Sequence, residues 1–311
     1  MTLTGDDKRL VVITGKGGTG RTTVAAAVAL AAARAGRRTI VGEVGGQARI
    51  PRLLGDGDGR PREPADRERP LSPGLWSTTI DPEIALEEWL GRQLPRRLAG
   101  MLAHSGAFAG FVGAAPGARE LVTITKAWEL GQARRWRRDA AGYDTVVLDA
   151  PASGHGVGLL RTPRTFADIA RVGPIAGQAR AVAEALADPA RSTVVAVALP
   201  GELSVAETLE LEARVQATLG RPLDAIVVNG VWPRRLAGRE AAAIAARDGA
   251  VGLRTRRVAA ASAGRVRAQQ SQLARLRREA SAPIRTLPFV FAERLGLEQI
   301  RAFSERLERP H

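Results

Sequence analysis

The sequence contains no cysteine among its 311 residues. Disulfide bonds, thiolate metal sites and cysteine nucleophiles are therefore excluded from its chemistry. Aromatic residues make up only 4% of the chain, and no uninterrupted apolar run reaches the ~20 residues that are needed to span a bilayer. The segment Met1–Leu10 is polar and charged, without the apolar stretch of a signal peptide. We expect a cytoplasmic protein.

Lysine is also scarce, because only Lys8, Lys16 and Lys126 among the 46 basic residues are lysines. The arginines give a formal net charge of +14 and are spread along most of the chain, with few aromatic residues between them. A nucleic-acid footprint requires clustered basic residues. We therefore interpret the charge as a compositional bias and expect no nucleic-acid partner, with a polyanion-binding surface as the alternative.

The first 45 residues alternate between strand and helix. Leu10–Thr14 is a short β-branched run that ends at glycines, Thr22–Ala35 is an alanine-rich helix closed by Gly36, and Arg38–Val44 is a second strand. Further buried strands are predicted at Leu75–Ile80, Thr145–Leu148, Thr193–Leu199, Ala225–Val228 and Ile284–Leu287. This order predicts one α/β domain over residues 1–311, with a doubly wound, mostly parallel sheet and helices on both faces.

Three stretches look like additions to this core. Apolar residues at helical spacing predict a helical insertion at about residues 82–140. Gly, Pro, Asp and Arg dominate residues 55–73, which predicts a mobile loop. Residues 236–280 are rich in arginine and are interpreted as a solvated helix on the sheet, or alternatively as an amphipathic surface for a partner or a membrane.

The loop after the first strand carries the candidate chemistry. It consists of Gly15, Lys16, Gly17, Gly18, Thr19, Gly20, Arg21, Thr22 and Thr23. At a strand–loop–helix junction the backbone N–H groups and the helix dipole favour an anion, and glycines let the backbone curl round phosphates. The Thr22 hydroxyl is placed to ligate Mg²⁺, and Asp149 ends a buried strand, where nucleotide hydrolases hold Mg²⁺ and its waters. ATP and Mg²⁺ are the predicted cofactors.

A dinucleotide site is the competing interpretation. Gly15, Gly17 and Gly20 also satisfy G-x-G-x-x-G, and Glu43 at the end of the second strand could hold a ribose. This pattern alone is weak, and it would place Lys16 inside the turn. The acid at Asp149 favours ATP.

At these residues the chain resembles the ArsA-type ATPases, the anion-pump and tail-anchored-protein-targeting branch of the deviant Walker A class that also includes MinD, ParA and the nitrogenase iron protein. The similar segments span about residues 10–305, and the nearest likeness is to the version found in high-GC bacteria. The segments that carry the resemblance are Lys16-Gly17-Gly18-Thr19-Gly20, Asp149-Ala150-Pro151-Ala152-Ser153-Gly154-His155-Gly156, residues 159–166, Leu199-Pro200-Gly201-Glu202-Leu203, Glu207-Thr208, Val227-Val228-Asn229 and Leu287-Pro288-Phe289-Val290-Phe291.

The resemblance implies specific roles. Lys16 would reach across a dimer to the partner's nucleotide, and Lys16 with Asp149 would be the catalytic residues. Asn229 would read adenine, while Pro288 and Phe289 would border the base. A nucleotide-dependent switch is implied for Glu43, Gly45, Ser153, Gly154 and His155. The implied partners are a second copy or a paralogous ATPase, together with a client protein or a membrane partner.

Two departures from the family bear on activity. Arg21 stands where the phosphate-loop lysine is usual, and a planar guanidinium is bulkier than an ammonium. Gly45 aligns with the aspartate that orients the attacking water, so turnover by this chain could be slow. The absence of cysteine also argues against a thiol-bound metalloid.

Three functions therefore stay open. The first is a Mg·ATP-driven dimeric switch, and the second is a regulatory, non-catalytic subunit of a related active ATPase. The third is a ParA- or MinD-like ATPase that binds DNA or anionic lipid electrostatically, which only the charge supports.

Overall fold

The computed structural model describes residues 3–5, 8–45, 48–55, 67–93, 117–137, 140–170, 172–234, 240, 243–244 and 252–308. Eight strands in these ranges form one sheet in the order β3-β4-β2-β5-β1-β6-β7-β8. All neighbouring strands pair in parallel except β3 and β4. The strands are β1 Leu10–Gly15, β2 Thr39–Val44, β3 Arg69–Ser72, β4 Leu75–Ile80, β5 Thr145–Asp149, β6 Ser192–Ala198, β7 Ala225–Val231 and β8 Ile284–Pro288.

Helices connect most of these strands. They are α1 Arg21–Arg34, α2 Arg49–Leu53, α3 Pro82–Gln93, α4 Ala118–Leu130, α5 Ser153–Ala170, α6 Pro174–Ala187, α7 Glu202–Leu219, α8 Leu253–Glu279 and α9 Leu297–Glu308. None of these described helices is both long and apolar enough to cross a membrane. The predicted doubly wound α/β fold is confirmed.

The two faces of the sheet carry separate cores, because side chains alternate along each strand. In β1, Leu10 and Val12 belong to the core that packs against α4–α8. Val11 and Ile13 belong to the other core, which packs against α1, α2 and α9. Both neighbours of β1 are parallel strands, so a continuous apolar run is expected there and is observed.

One strand was missed. Residues 69–72 fall in the predicted mobile loop, but they form β3, which pairs antiparallel with β4 at the edge of the sheet. Its burial alternates, and Pro70 lies within it, as an edge strand allows. Residues 56–66 of that loop lie outside the described residues, so its mobility stays a prediction.

The segment predicted as a helical insertion contains α3 and α4, while residues 94–116 lie outside the described part. A chain of buried charges links these helices to the sheet. Glu129 on α4 is fully buried and accepts from Lys126 Nζ at 3.1 Å and from Arg135 Nε at 2.8 Å. Arg135 also donates to Glu68 at 2.6 Å, and Glu68 accepts from the Tyr143 hydroxyl at 2.7 Å. The pKa of Tyr143 is raised beyond its usual range by burial and by this bond.

We expect Glu129→Gln to destabilise the protein strongly. It removes the charge that pairs with two buried cations, and breaking a buried pair typically costs about 3–5 kcal/mol. Urea unfolding followed by circular dichroism measures the effect. Glu210→Gln is the matched control, because the Glu210–Arg214 pair on α7 is exposed and should contribute less than about 0.5 kcal/mol. Equal midpoints for the two variants would contradict the structural role of this charge chain.

Candidate nucleotide-binding site

The loop between β1 and α1 is held tightly against the next two strands. Gly15 has φ 142°, and a Cβ there would lie 2.5 Å from the carbonyl oxygen of Val197 on β6. Gly20 has φ 89°, and a Cβ there would lie 2.2 Å from Nδ2 of Asn229 on β7. Side chains at these two positions would push the loop off the sheet, so the glycines fix its path.

The start of α1 is open to an anion. Gly20 is its N-cap and supplies no side chain, and no side-chain hydrogen bond caps the helix. The first turn also has no acidic residue. The backbone N–H groups that a helix leaves unpaired at its first turn are therefore available, and the helix dipole adds positive potential at the same point.

Thr22 and Asp149 form the candidate magnesium site. The Thr22 hydroxyl donates to Oδ2 of Asp149 at 2.6 Å, and Oδ1 of Asp149 is buried without a hydrogen-bond partner in the described structure. Burial raises the pKa of Asp149, while the Thr22 bond and the positive charges of Arg21 and Arg49 partly counteract it. A hydroxyl beside a carboxylate with an unused oxygen fits a hard cation and its waters.

Arg21 occupies the lysine position of the usual loop and points toward the end of β5. Its Nη1 donates to the carbonyl oxygen of Ala150, next to Asp149. Burial lowers the pKa of Arg21, and the nearby Asp149 charge opposes that effect. The guanidinium stays protonated, so a positive charge lies beside the predicted phosphate and metal positions.

Lys16 lies on the outer side of the loop. Its side chain is 53% exposed, and its Nζ contacts Oε1 of Glu207 on α7 at 2.5 Å. A hydrogen bond within the loop stabilises its backbone at this residue, because the Thr19 hydroxyl donates to the Lys16 carbonyl at 2.9 Å. In this arrangement Lys16 is held by a carboxylate of its own chain and is not directed at its own phosphate loop.

Glu43 caps a helix. It is only 5% exposed, and its two carboxylate oxygens accept from the backbone N–H groups of Arg49 at 2.9 Å and Ile50 at 3.1 Å, at the start of α2. Burial raises the pKa of Glu43, and the nearby Asp149 charge raises it further. The two backbone hydrogen bonds act in the opposite direction and lower it. With both oxygens used in this way, Glu43 is not placed as a ribose ligand. This argues against the dinucleotide interpretation.

Gly45 follows β2 with φ 89°, a conformation that side chains rarely adopt. Space is not what restricts this position, because a Cβ there would meet nothing within 4 Å. The backbone at this point therefore favours glycine over the aspartate with which Gly45 aligns.

The residues predicted to contact the base lie at the ends of β7 and β8. Nδ2 of Asn229 donates to the Thr19 carbonyl at 3.0 Å, which joins β7 to the phosphate loop. Pro288 ends β8, and the Phe289 ring is 42% exposed. Phe289 packs on Trp232, with ring centroids 4.8 Å apart. Contact between these residues and adenine stays a prediction.

The predicted switch residues that follow Asp149 lie at the start of α5. Ser153, Gly154 and His155 form part of its first turn, and their side chains lie outside the described part. Gly156 packs against β1, since a Cβ there would lie 2.6 Å from the Thr14 hydroxyl. That hydroxyl is buried without a hydrogen-bond partner in the described structure. The segment after Asp149 is thus in close contact with the strand that carries the phosphate loop.

Sequence reasoning missed three residues. Glu207 stands out in the sequence only as part of a segment similar to the family, and no local pattern points to Arg49 or links Trp232 with Phe289. Glu207 could have been found from topology, because it lies one turn into the helix after β6, the strand beside β1. Arg49 lies at the start of α2 and Trp232 directly follows β7, and neither position carries a strong sequence pattern.

The strand, glycine loop, uncapped helix start and Thr22–Asp149 pair together define a P-loop nucleotide-binding protein. The family model for anion-transporting ATPases matches residues 8–173. The chain belongs to this family.

Curated relatives agree with that assignment. The chain is similar to ATPase BagA of Mycobacterium tuberculosis, at 33% identity over 233 residues, which cover 73% of this chain and 66% of the relative. It is also similar to an arsenical pump-driving ATPase of Escherichia coli, at 24% identity over 255 residues, which cover 75% of this chain and 41% of the relative. The chain thus spans only part of the length of the relatives it matches.

We expect Asp149→Asn to raise the melting temperature of the nucleotide-free protein at neutral pH. The native pKa of Asp149 is raised, so ionisation of Asp149 destabilises the folded protein. This destabilisation is absent at low pH and grows as pH rises. The advantage of the variant should therefore vanish as pH falls to the ordinary carboxyl range. Differential scanning fluorimetry in chelator measures it.

In the same assay, added Mg·ADP should stabilise the wild type and should stabilise Asp149→Asn much less. Equal stabilisation of both proteins by Mg·ADP would exclude Asp149 from the magnesium site.

Proposed function

We propose that this protein is a Mg·ATP-dependent ATPase that acts as a dimeric nucleotide switch. The observation that carries the proposal is the Thr22–Asp149 hydrogen bond of 2.6 Å, which joins the phosphate-loop helix to the end of β5. A hydroxyl and a carboxylate in contact at the start of the phosphate-loop helix support a site there for the Mg²⁺ of a bound nucleotide. Family membership supports ATP as the nucleotide.

Each residue at the site has a defined task in this proposal. The loop amides and the start of α1 bind the phosphates, and Arg21 supplies a positive charge beside them. Thr22 and Asp149 would hold Mg²⁺, which supplies charge neutralisation on the phosphates. Asn229 and Phe289 would orient the base. These groups position the nucleotide, and positioning is the main part of catalysis in phosphoryl transfer.

Lys16 is proposed to act on the nucleotide of the partner protomer. It is exposed on the outer side of its loop and is paired with Glu207, so its ammonium can reach outward when that pair opens. A cation supplied in trans resembles an arginine finger, which stabilises the charge of the transition state. Hydrolysis would then be linked to dimer geometry, and through it to a client protein or a membrane partner in the cytoplasm.

A second candidate is a regulatory subunit that pairs with a paralogous, fully equipped ATPase. Arg21 and Gly45 favour it. Arg21 is bonded to the Ala150 carbonyl, and Glu43, the acid closest to Gly45 in sequence, is used as a helix cap. This chain would then bind nucleotide and supply Lys16 to the partner's site, with little turnover of its own.

Subunit mixing tests the trans role of Lys16. We expect Lys16→Ala to lower steady-state ATP hydrolysis by about 10³-fold, as is typical for loss of a trans cation. Asp149→Asn should also lower it strongly, because it removes the proposed magnesium carboxylate. A mixture of the two variants should regain activity, because a mixed dimer has one site with both an intact Asp149 and an incoming Lys16.

Mixtures of each variant with itself are the controls for that experiment. If the mixed sample stays inactive although an affinity tag on one variant co-purifies the other, Lys16 acts within its own chain. If the wild type binds Mg·ATP but does not hydrolyse it, the regulatory subunit is the correct function.

Arg21→Lys tests whether this arginine limits turnover, as the second candidate requires. Lysine lacks the planar fork that reaches the Ala150 carbonyl, and it restores the compact ammonium usual at this position. We expect turnover to rise several-fold while the affinity for ADP changes little. Unchanged or lower turnover in the variant, measured with a coupled phosphate-release assay, would show that the arginine does not limit catalysis.

A further inference from the structure

We propose that α8 and the aromatic residues packed against it form a membrane-binding surface that selects anionic lipid. The surface, called here the arginine–aromatic face, consists of Trp232, Arg254, Val258, Arg265 and Phe291. This inference goes beyond the proposed ATPase activity and does not depend on it.

The charge of α8 has one sign along nearly its whole length. Its 27 residues include eight arginines and a single acid, Glu279, at the last position. Glu279 is bonded to Arg275 and Arg278. The helix is roughly 40 Å long at 1.5 Å per residue, so it presents a row of positive charge whose partner must be anionic.

Only a few side chains attach α8 to the protein. Its buried residues are Ala259, Leu273 and Leu276. Near its start Leu253 is 56% exposed and Val258 is 69% exposed. Helical spacing places Arg254, Val258 and Arg265 on one side, so the exposed valine lies between two arginines.

The aromatic residues extend this side of the helix. The guanidinium of Arg265 lies 4.5 Å from the centre of the Trp232 ring, and the backbone N–H of Trp232 donates to Oε1 of Gln269 at 2.8 Å. The Phe291 ring is 4.8 Å from Trp232 and 5.0 Å from Phe289, and it is 52% exposed. A cluster of aromatic rings, partly exposed, therefore lies directly beside Arg265, although the two are far apart in sequence.

This combination fits a membrane better than a nucleic acid. Bases need open ring faces on which to stack. The Trp232 ring is covered by the guanidinium of Arg265 and is also in contact with the rings of Phe289 and Phe291. Exposed Leu253 and Val258 would gain nothing from a polynucleotide. At a bilayer, apolar side chains enter the boundary between headgroups and acyl chains, while arginines are attracted by anionic headgroups.

Vesicle co-sedimentation of the full-length protein tests the proposal. We expect binding to vesicles of phosphatidylglycerol and phosphatidylcholine, weak binding to phosphatidylcholine alone, and a fall in affinity as salt rises. Arg254→Glu/Arg265→Glu should weaken binding at least tenfold, because each juxtamembrane arginine contributes roughly fivefold. Phe291→Ser should weaken binding while leaving its salt dependence unchanged.

The matched control is Arg191→Glu/Arg301→Glu, which changes the net charge equally at two exposed positions, one just before β6 and the other on α9. Equal losses in the two double variants would overturn the proposal in favour of a net-charge effect. Binding to single-stranded DNA in place of vesicles would also overturn it. The proposal would also be overturned if the wild type failed to bind vesicles and Phe291→Ser lowered its sedimentation coefficient. The face would then join copies of the protein. Val258→Gln serves as a second variant if the double reversal fails to fold by circular dichroism.

Discussion

The pairing of β1 between β5 and β6 is the constraint on which the site depends. Ile13 is opposite Asp149 in the register with β5, and its carbonyl accepts from the N–H of Ala150 at 3.0 Å. This register sets the carboxylate of β5 beside the first turn of α1, within reach of Thr22. On the other side, β6 places Val197 against Gly15 and leads into α7, which carries Glu207. A one-residue shift of either neighbour would separate these groups.

The positive groups at the site differ in how they are held. Arg21 is bonded to the backbone beside Asp149, while Lys16 is exposed and paired with Glu207. The first cation is therefore fixed in place beside Asp149, and the second can be released by breaking one partly exposed ion pair. Such pairs are weak in water, so a nucleotide phosphate could compete for the lysine. In the proposed ATPase, this difference would allow nucleotide binding and switching to be controlled by different cations.

Arginine also holds the fold together, which gives the composition a structural meaning. Arg37 bonds the Thr145 hydroxyl and the carbonyls of Gly5 and Asp144, and so joins strand ends to the N-terminal segment. Arg221 bonds Leu186, Ser192 and Asp224 in a similar way. A planar group with five donors can satisfy several buried carbonyls at once. Part of the large arginine content is therefore used inside the protein, and α8 is where a single sign of charge remains at the surface.

The sequence by itself determined the order of strands and helices, the parallel sheet and the phosphate loop, because these follow from apolar runs and glycines that act locally. It also indicated Thr22 and Asp149 as candidate magnesium ligands, because each lies at the end of a predicted element. It could not find β3, whose strand character depends on pairing with β4 and is hidden among turn-forming residues. Only the tertiary structure decided that Glu43 caps α2, that Lys16 pairs with Glu207 and that Trp232 meets Phe289 and Arg265. These contacts join residues far apart in the chain or depend on side-chain direction, and neither property is encoded by local pattern.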